Sequence, residues 1–126
     1  MSAALRMMCA DQAAARHVAL LGDMEELGAA AAACHRTVGA DAAGIGIDLL
    51  LAVGDHAEDV AAGARDGGMP RESVRCIARD EVPEELDRAL MPGDLVLVKA
   101  SRRSRLEDSI AAWRAAITAA RQDVRA

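Results

Sequence analysis

Apolar positions along the chain fall into short unbroken runs and longer stretches where they recur every three or four residues, and the two kinds alternate. The unbroken runs are His17-Val18-Ala19-Leu20-Leu21, ended by Gly22; Asp48 to Val53, ended by Gly54; Val74 to Ala78; and Leu95-Val96-Leu97-Val98 after the Pro92-Gly93 turn. Such runs are what a strand shows when a parallel sheet is covered on both faces. Val74 to Ala78 is shorter and carries Arg75 in its middle, so it is the predicted edge strand. Helices fill the intervals. Ala3 to about Ala14 is rich in Ala, Leu and Met without a breaker. From Gly28 to about Ala43, the positions Leu27, Ala31, Cys34 and Val38 line one helical face, and Gly44 and Gly46 stop it. Asp55 with Glu58 resembles a capping box opening a helix to Arg65, which Gly67-Gly68 ends. Pro83 suits the first turn of a helix through Leu90, and Leu106, Ile110, Trp113 and Ile117 form the buried stripe of a last helix.

Strands alternating with helices imply an α/β chain: a Rossmann-like, mostly parallel sheet with helices on both faces, in three layers. All strand carboxyl ends then open on one side, where ligands bind in such sheets. Three polar segments fall there: Gly22-Asp23-Met24-Glu25-Glu26-Leu27-Gly28, Gly54-Asp55-His56 and Lys99-Ala100-Ser101-Arg102.

Composition narrows the chemistry. The 126 residues fit one compact domain. No Phe or Tyr and a single Trp, against 30 Ala, make the predicted core thin and aliphatic. The charge is 15 − 20 = −5, and with aromatics missing there is nothing to stack bases over a positive groove, so nucleic acid is not an expected partner. The one basic cluster, Arg102, Arg103 and Arg105, is offset by Glu107 and Asp108. The longest apolar runs fall far short of the roughly 20 residues a membrane span needs, and the start lacks a signal pattern, so the expected location is cytoplasmic, away from membranes. Cys9, Cys34 and Cys76 form no CxxC, which argues against a disulfide framework or zinc site and reads as three buried hydrophobes in a reducing compartment.

Absent motifs count too. Gly44-Ile45-Gly46 precedes a strand instead of following one, so the dinucleotide fingerprint fails, and Lys99 lacks the glycine spacing of a phosphate-cradling loop. No GxSxG occurs, and His17, His35 and His56 have no metal-ligand spacing. No metal site and no catalytic group of the chain's own are expected. Fourteen of fifteen basic residues are Arg, yet the one Lys, Lys99, stands at the mouth of the expected site. With Ser101 and Arg102 it makes either an anion pocket for a carboxylate or phosphate, or a solvated basic turn. Asp23, Glu25 and Glu26 either meet an ammonium or a Mg²⁺ held elsewhere, or favour the N-terminus of the helix behind them through its dipole.

The string LGDMEELG at Leu21 to Gly28, His35 and Val38 in the helix, GIDLLLAVG at Gly46 to Gly54, and PGDLVLVKASR at Pro92 to Arg102 resemble, in order, the C-terminal domain of the Mur ligases, in the branch that adds D-alanyl-D-alanine. That resemblance implies a ligase of peptidoglycan synthesis. ATP and Mg²⁺ serve as cofactors, UDP-MurNAc-tripeptide and D-Ala-D-Ala as substrates, and this domain closes over an ATPase domain so that water is kept from an acyl phosphate. It also implies substrate contact, to a dipeptide carboxylate or phosphate, at Lys99, Ser101 and Arg102. Asp23, Met24, Glu26 and Gly28 then shape the interdomain cleft, with His35 either a member of it or a packing residue.

Three departures from the family pattern stand out. Ala100 occupies the place of a glycine, adding a Cβ where the family pattern implies either an unusual φ or a close approach of the backbone to ligand. A strand that precedes the first helix in the family, ending in a YNANP-like segment, is missing, as are the UDP-substrate and ATPase domains. The chain alone is therefore expected to be inactive, one truncated domain over residues 1–126. The alternative is a stand-alone, non-catalytic module binding a small anion or a protein partner, with another chain over the open sheet edge.

Overall fold

The computed structural model describes residues 15–25, 28–100 and 106–125, with side chains as far as 115. The expected first helix lies outside the described residues. Four strands, β1 (Arg16–Leu21), β2 (Leu49–Val53), β3 (Val74–Ile77) and β4 (Asp94–Lys99), alternate with α1 (Ala31–Ile45), α2 (Ala57–Asp66), α3 (Val82–Ala89) and α4 (Leu106–Arg125). Every pairing is parallel, in the order β3-β2-β1-β4. Among the described residues no helix is long and apolar enough to cross a membrane.

Side chains of a strand alternate between faces, so each strand feeds two cores. Ala19, Leu21, Leu50 and Ala52 pack with Val38 and Ala42 of α1 and Val60, Ala61 and Ala64 of α2. Val18, Leu20, Leu49, Leu51 and Val53 pack instead with Val82 and Leu86 of α3 and Leu106 of α4. These are the three expected layers, and they explain why the central strands are apolar without a break. β1 and β2 are buried on both faces, whereas β3 and β4 flank the sheet. The predicted edge is thus an edge, but among the described residues the apolar run of β4 is one too, and its residues are only half-buried. The cysteines are not all the buried hydrophobes expected: Cys76 is exposed on the edge strand β3 and Cys34 is half-buried on α1, while Cys9 is outside the described residues.

A core without Phe or Tyr can close only if its layers approach closely. A Cβ on Gly39 of α1 would collide with the Val60 carbonyl oxygen, and one on Gly63 of α2 would collide with that of Arg36. Backbone meets backbone there. The buried face of α1 is accordingly His35, Val38, Gly39 and Ala42, turned from the expected stripe, because a glycine that contacts by having no side chain adds nothing to apolar periodicity. Gly44 does not stop α1. The helix runs on to Ile45, and Gly46 (φ 95°) ends it with its N–H shared between the Ala42 and Ala43 carbonyls.

The starts of β1 and β4 are joined by an ion pair. Arg16 Nε and Nη2 donate to the two carboxylate oxygens of Asp94 at 3.0 and 2.7 Å, and Nη2 also reaches the Ala89 carbonyl at 2.7 Å. Asp94 is nearly buried, and its Oδ2 accepts the Met91 N–H as well, so one carboxylate fixes both the strand pair and the turn leading into β4. The Arg16 hydrogen bond, foremost, holds the Asp94 carboxyl below its usual range and raises Arg16. A carboxylate depressed by folding stabilises the fold above its unfolded pKa, and that contribution is lost as pH falls through its folded value. Asp94→Ala is therefore expected to lower the unfolding free energy by about 2–3 kcal/mol at neutral pH. In urea titrations the gap from the parent should narrow as the medium is acidified through the carboxylate range; a gap that stays constant would show that the ion pair is not its source.

Candidate functional site

The path of the chain decides where the crevice lies. From β1 the chain moves outward to β2 and β3 with α1 and α2 on one face, then returns through α3 on the other face to place β4 on the far flank of β1. The strand order reverses between β1 and β4, and in open parallel sheets such a reversal parts the loops at the carboxyl ends. At that point the Gly22 N–H donates to the Lys99 carbonyl at 2.9 Å, so the exits of both strands are adjacent.

From Gly22 the β1–α1 loop turns toward β2. The Asp23 carboxylate accepts the backbone N–H groups of Asp55 and His56, both at 2.9 Å. These are the free donors at the start of α2, so Asp23 caps a helix that is remote in sequence and sits at its positive end. The expected Asp55/Glu58 capping box does not form: His56 occupies the N-cap, and its side chain makes no capping bond. Gly54 makes room for the carboxylate. Its φ is 108°, and a Cβ there would stand 2.5 Å from Asp23 Oδ2.

His35 holds the loop from the other side. It is buried, at 1% exposure, and its Nε2 accepts the Met24 N–H at 3.1 Å while Nδ1 donates to the Ala31 carbonyl at 2.6 Å. A carbonyl only accepts, so the partners fix the tautomer with its proton on Nδ1. The ring stacks on His56, centroids 4.3 Å apart and planes 12° from parallel. His56 Nδ1 in turn donates to Asp59 at 3.0 Å, and Arg36 lies 3.9 Å from the same carboxylate. The Asp59 hydrogen bond, helped by the charges of Asp23, Asp59 and Asp55, raises the His56 pKa.

Of the residues named from sequence, Asp23, Met24 and His35 come together in this latch, and Gly28 (φ 54°) starts the single turn ahead of α1. Lys99 is exposed at the end of β4, on the other side of the β1 exit. Glu26, Ser101 and Arg102 lie outside the described residues. His56, Asp59 and Gly54 were not singled out as individuals. The Gly54-Asp55-His56 segment was placed on the ligand side, but the stacking of two histidines from different helices leaves no local trace.

Beyond Lys99 a cavity of about 700 Å³ opens between β4 and α4. Val98, Lys99 and Ala100 form one wall, and Leu106, Ile110 and Ala111 the other, with Glu107 and Arg114 also on the helix side. Among the described residues no group of three or more His, Cys, Asp or Glu is placed to hold a metal, and both oxygens of Asp23 are engaged by backbone donors.

The family model described as "Mur ligase, glutamate ligase domain" matches residues 1–102. The fold is similar to a crystal structure of MurF from Acinetobacter baumannii, with a TM-score of 0.71 at 24% identity over 88% of this chain and 24% of that one. The chain thus spans about a quarter of the length of that protein. None of the curated proteins matches it.

The raised His56 titrates as part of the latch. Its protonated form gains the partners, so the stabilisation is complete below the unfolded histidine pKa and is lost as pH rises through the folded one. An NMR titration is expected to find His56 above the ordinary histidine value and to show a fall in Asp59→Asn that is larger than in Asp23→Asn. Equal values in parent and Asp59→Asn would remove Asp59 as the main cause.

Proposed function

The chain belongs to the Mur ligase family through its glutamate ligase domain, and we propose that it is the C-terminal domain of a ligase that joins D-Ala-D-Ala to UDP-MurNAc-tripeptide in peptidoglycan synthesis. The observation that carries this reading is the crevice between β1 and β4, with the single lysine of the chain at its lip and the loop leaving β1 latched beside it through Asp23 and Met24. In that reaction ATP with Mg²⁺ supplies the phosphoryl group that activates the tripeptide carboxylate, and the dipeptide amine then displaces phosphate.

This chain's part is binding and enclosure. Lys99 offers a compact cation to a carboxylate or phosphate, and by resemblance Ser101 and Arg102 add a hydroxyl and a fork of donors beside it. Asp23 does not fit a metal ligand, since its oxygens serve the start of α2, so Mg²⁺ has no assigned holder here. Asp23, Met24 and His35 stiffen the loop, and with Glu26 and Gly28 that loop would form the wall meeting an ATPase domain. A pre-set wall excludes water on closure without ordering a loop in each turnover. Ala100 packs its methyl against the second core, so the Cβ that replaces the family's glycine has a place to go.

A second reading is favoured by the half-buried apolar face of β4: the same domain, without turnover, binding a small anion or covered along that strand by a protein partner.

Lys99→Ala, made in the complete ligase, is expected to raise KM for D-Ala-D-Ala about ten-fold while leaving that for ATP in place. Equal losses for both, or none, would contradict the assignment. Ala100→Gly in the complete ligase should hold or raise turnover measured by phosphate release, and a clear drop would show that the glycine is not wanted in this protein.

A further inference from the structure

Two side chains, Asp23 and His35, hold the loop leaving β1 against the helices, and a proton does different things to them. The Asp23 carboxylate accepts the N–H groups of Asp55 and His56, one on each oxygen, so its hold is duplicated. Met24 has a single bond there. Its N–H is accepted at 3.1 Å by His35 Nε2, through the one lone pair the ring keeps while Nδ1 carries the proton. The ring cannot turn to relieve a change at Nε2, because Nδ1 donates at 2.6 Å to the Ala31 carbonyl one helical turn back. A flip would give up that bond in a buried site, where solvent cannot replace it.

We propose that His35 is a proton-operated catch on this loop: as the neutral imidazole it accepts the Met24 N–H, and a proton added at Nε2 sets donor against donor and frees the chain from Met24 onward. The added proton forms an N–H bond at Nε2 and breaks only the hydrogen bond to Met24. Nδ1 keeps its bond to Ala31, so the ring stays seated on α1. Asp23 is still tied to the start of α2, and Gly28, at φ 54°, supplies a glycine hinge, so the release is confined to the short stretch between them. Its cost is the contact of the Met24 side chain with the first core. The bond lies within the chain, so its release takes place whatever ligand the crevice binds.

His56 sets when the catch opens. Its ring is stacked on His35 with centroids 4.3 Å apart, and its bond to Asp59 raises its pKa, so His56 is the ring that charges first. Charged groups face the pair from each element packed against it: Asp23 from the loop, Asp55 and Asp59 from the start and first turn of α2, and Arg36 from α1. A second imidazolium in the stack repels the first, so the pair takes its protons in two steps, and release belongs to the second. Between the steps His56 is charged and the loop is still held.

An acid titration of the ¹⁵N-labelled 126-residue chain, read by NMR, follows ring nitrogens and backbone amides together. The Met24 amide is expected to lose about ten-fold of its protection against hydrogen exchange, taken relative to the intrinsic rate at each pH. That loss should share its midpoint with protonation of His35 Nε2, while the Asp55 and His56 amides stay protected because Asp23 still holds them. His56→Gln removes the like charge and should move the midpoint to higher pH. His35→Gln keeps an acceptor that does not titrate there and should abolish the step; if that variant does not fold, the shared midpoint in the parent decides. Four results would each overturn the proposal. They are Met24 protection that lasts until Asp55 and His56 lose theirs, a Met24 step away from the ring's midpoint, a step that persists in folded His35→Gln, and a His56→Gln midpoint at or below the parent's.

Discussion

The pairing of β1 with β4 is the constraint on which the ligand-side end of the molecule depends. It forces the chain to cross back over the sheet after β3, which puts α3 and α4 on the face opposite α1 and α2 and separates the loops leaving β1 and β4. The pair is fastened at both ends. Arg16 and Asp94 join the strand starts by charge, and the Gly22 N–H to Lys99 carbonyl bond joins their exits. Between these points Val18 to Leu21 of β1 are buried while the side chains of β4 are half-covered, so the apolar contribution of this pairing is modest and the polar fastenings matter correspondingly more.

A second consequence follows from the aliphatic core. With alanine and glycine at the crossing of α1 and α2, the two helices are close enough for His35 and His56 to stack and for Arg36 to approach Asp59. Tight packing thus positions the polar latch, and the latch in turn fixes the loop that carries Asp23 and Met24. Each link is short-range. Together they carry rigidity from the helix crossing to the lip of the crevice.

Strand positions were legible because burial on both faces leaves apolar runs, and glycines such as Gly22 and Gly54 mark their ends. The layer architecture followed from the alternation of elements, and the ligand side from the parallel direction of the strands. What was not legible has a common physical cause: contacts made across the chain by groups that carry no local periodicity. Gly39 and Gly63 contact through the absence of a side chain, which turned the buried face of α1 away from the stripe expected through Cys34. Asp23 caps α2 through backbone donors, so Asp55 looked like a cap from sequence without being one. The pair Arg16 and Asp94 is far apart in sequence, and neither residue is marked by its neighbours as half of an ion pair. For the site itself, the lone lysine was conspicuous, but the cavity on α4 depends on how that helix lies against β4, which no spacing encodes.

The crevice at the exits of β1 and β4 is most directly examined by amide chemical-shift mapping of the ¹⁵N-labelled chain during titration with D-Ala-D-Ala. Perturbations are expected at Gly22, Lys99 and Ala100 and along the first turns of α4, with the opposite end of the same strands, around Met91 to Asp94, left still. Shifts centred on that opposite end, or none at saturating peptide, would contradict a ligand site at the strand reversal.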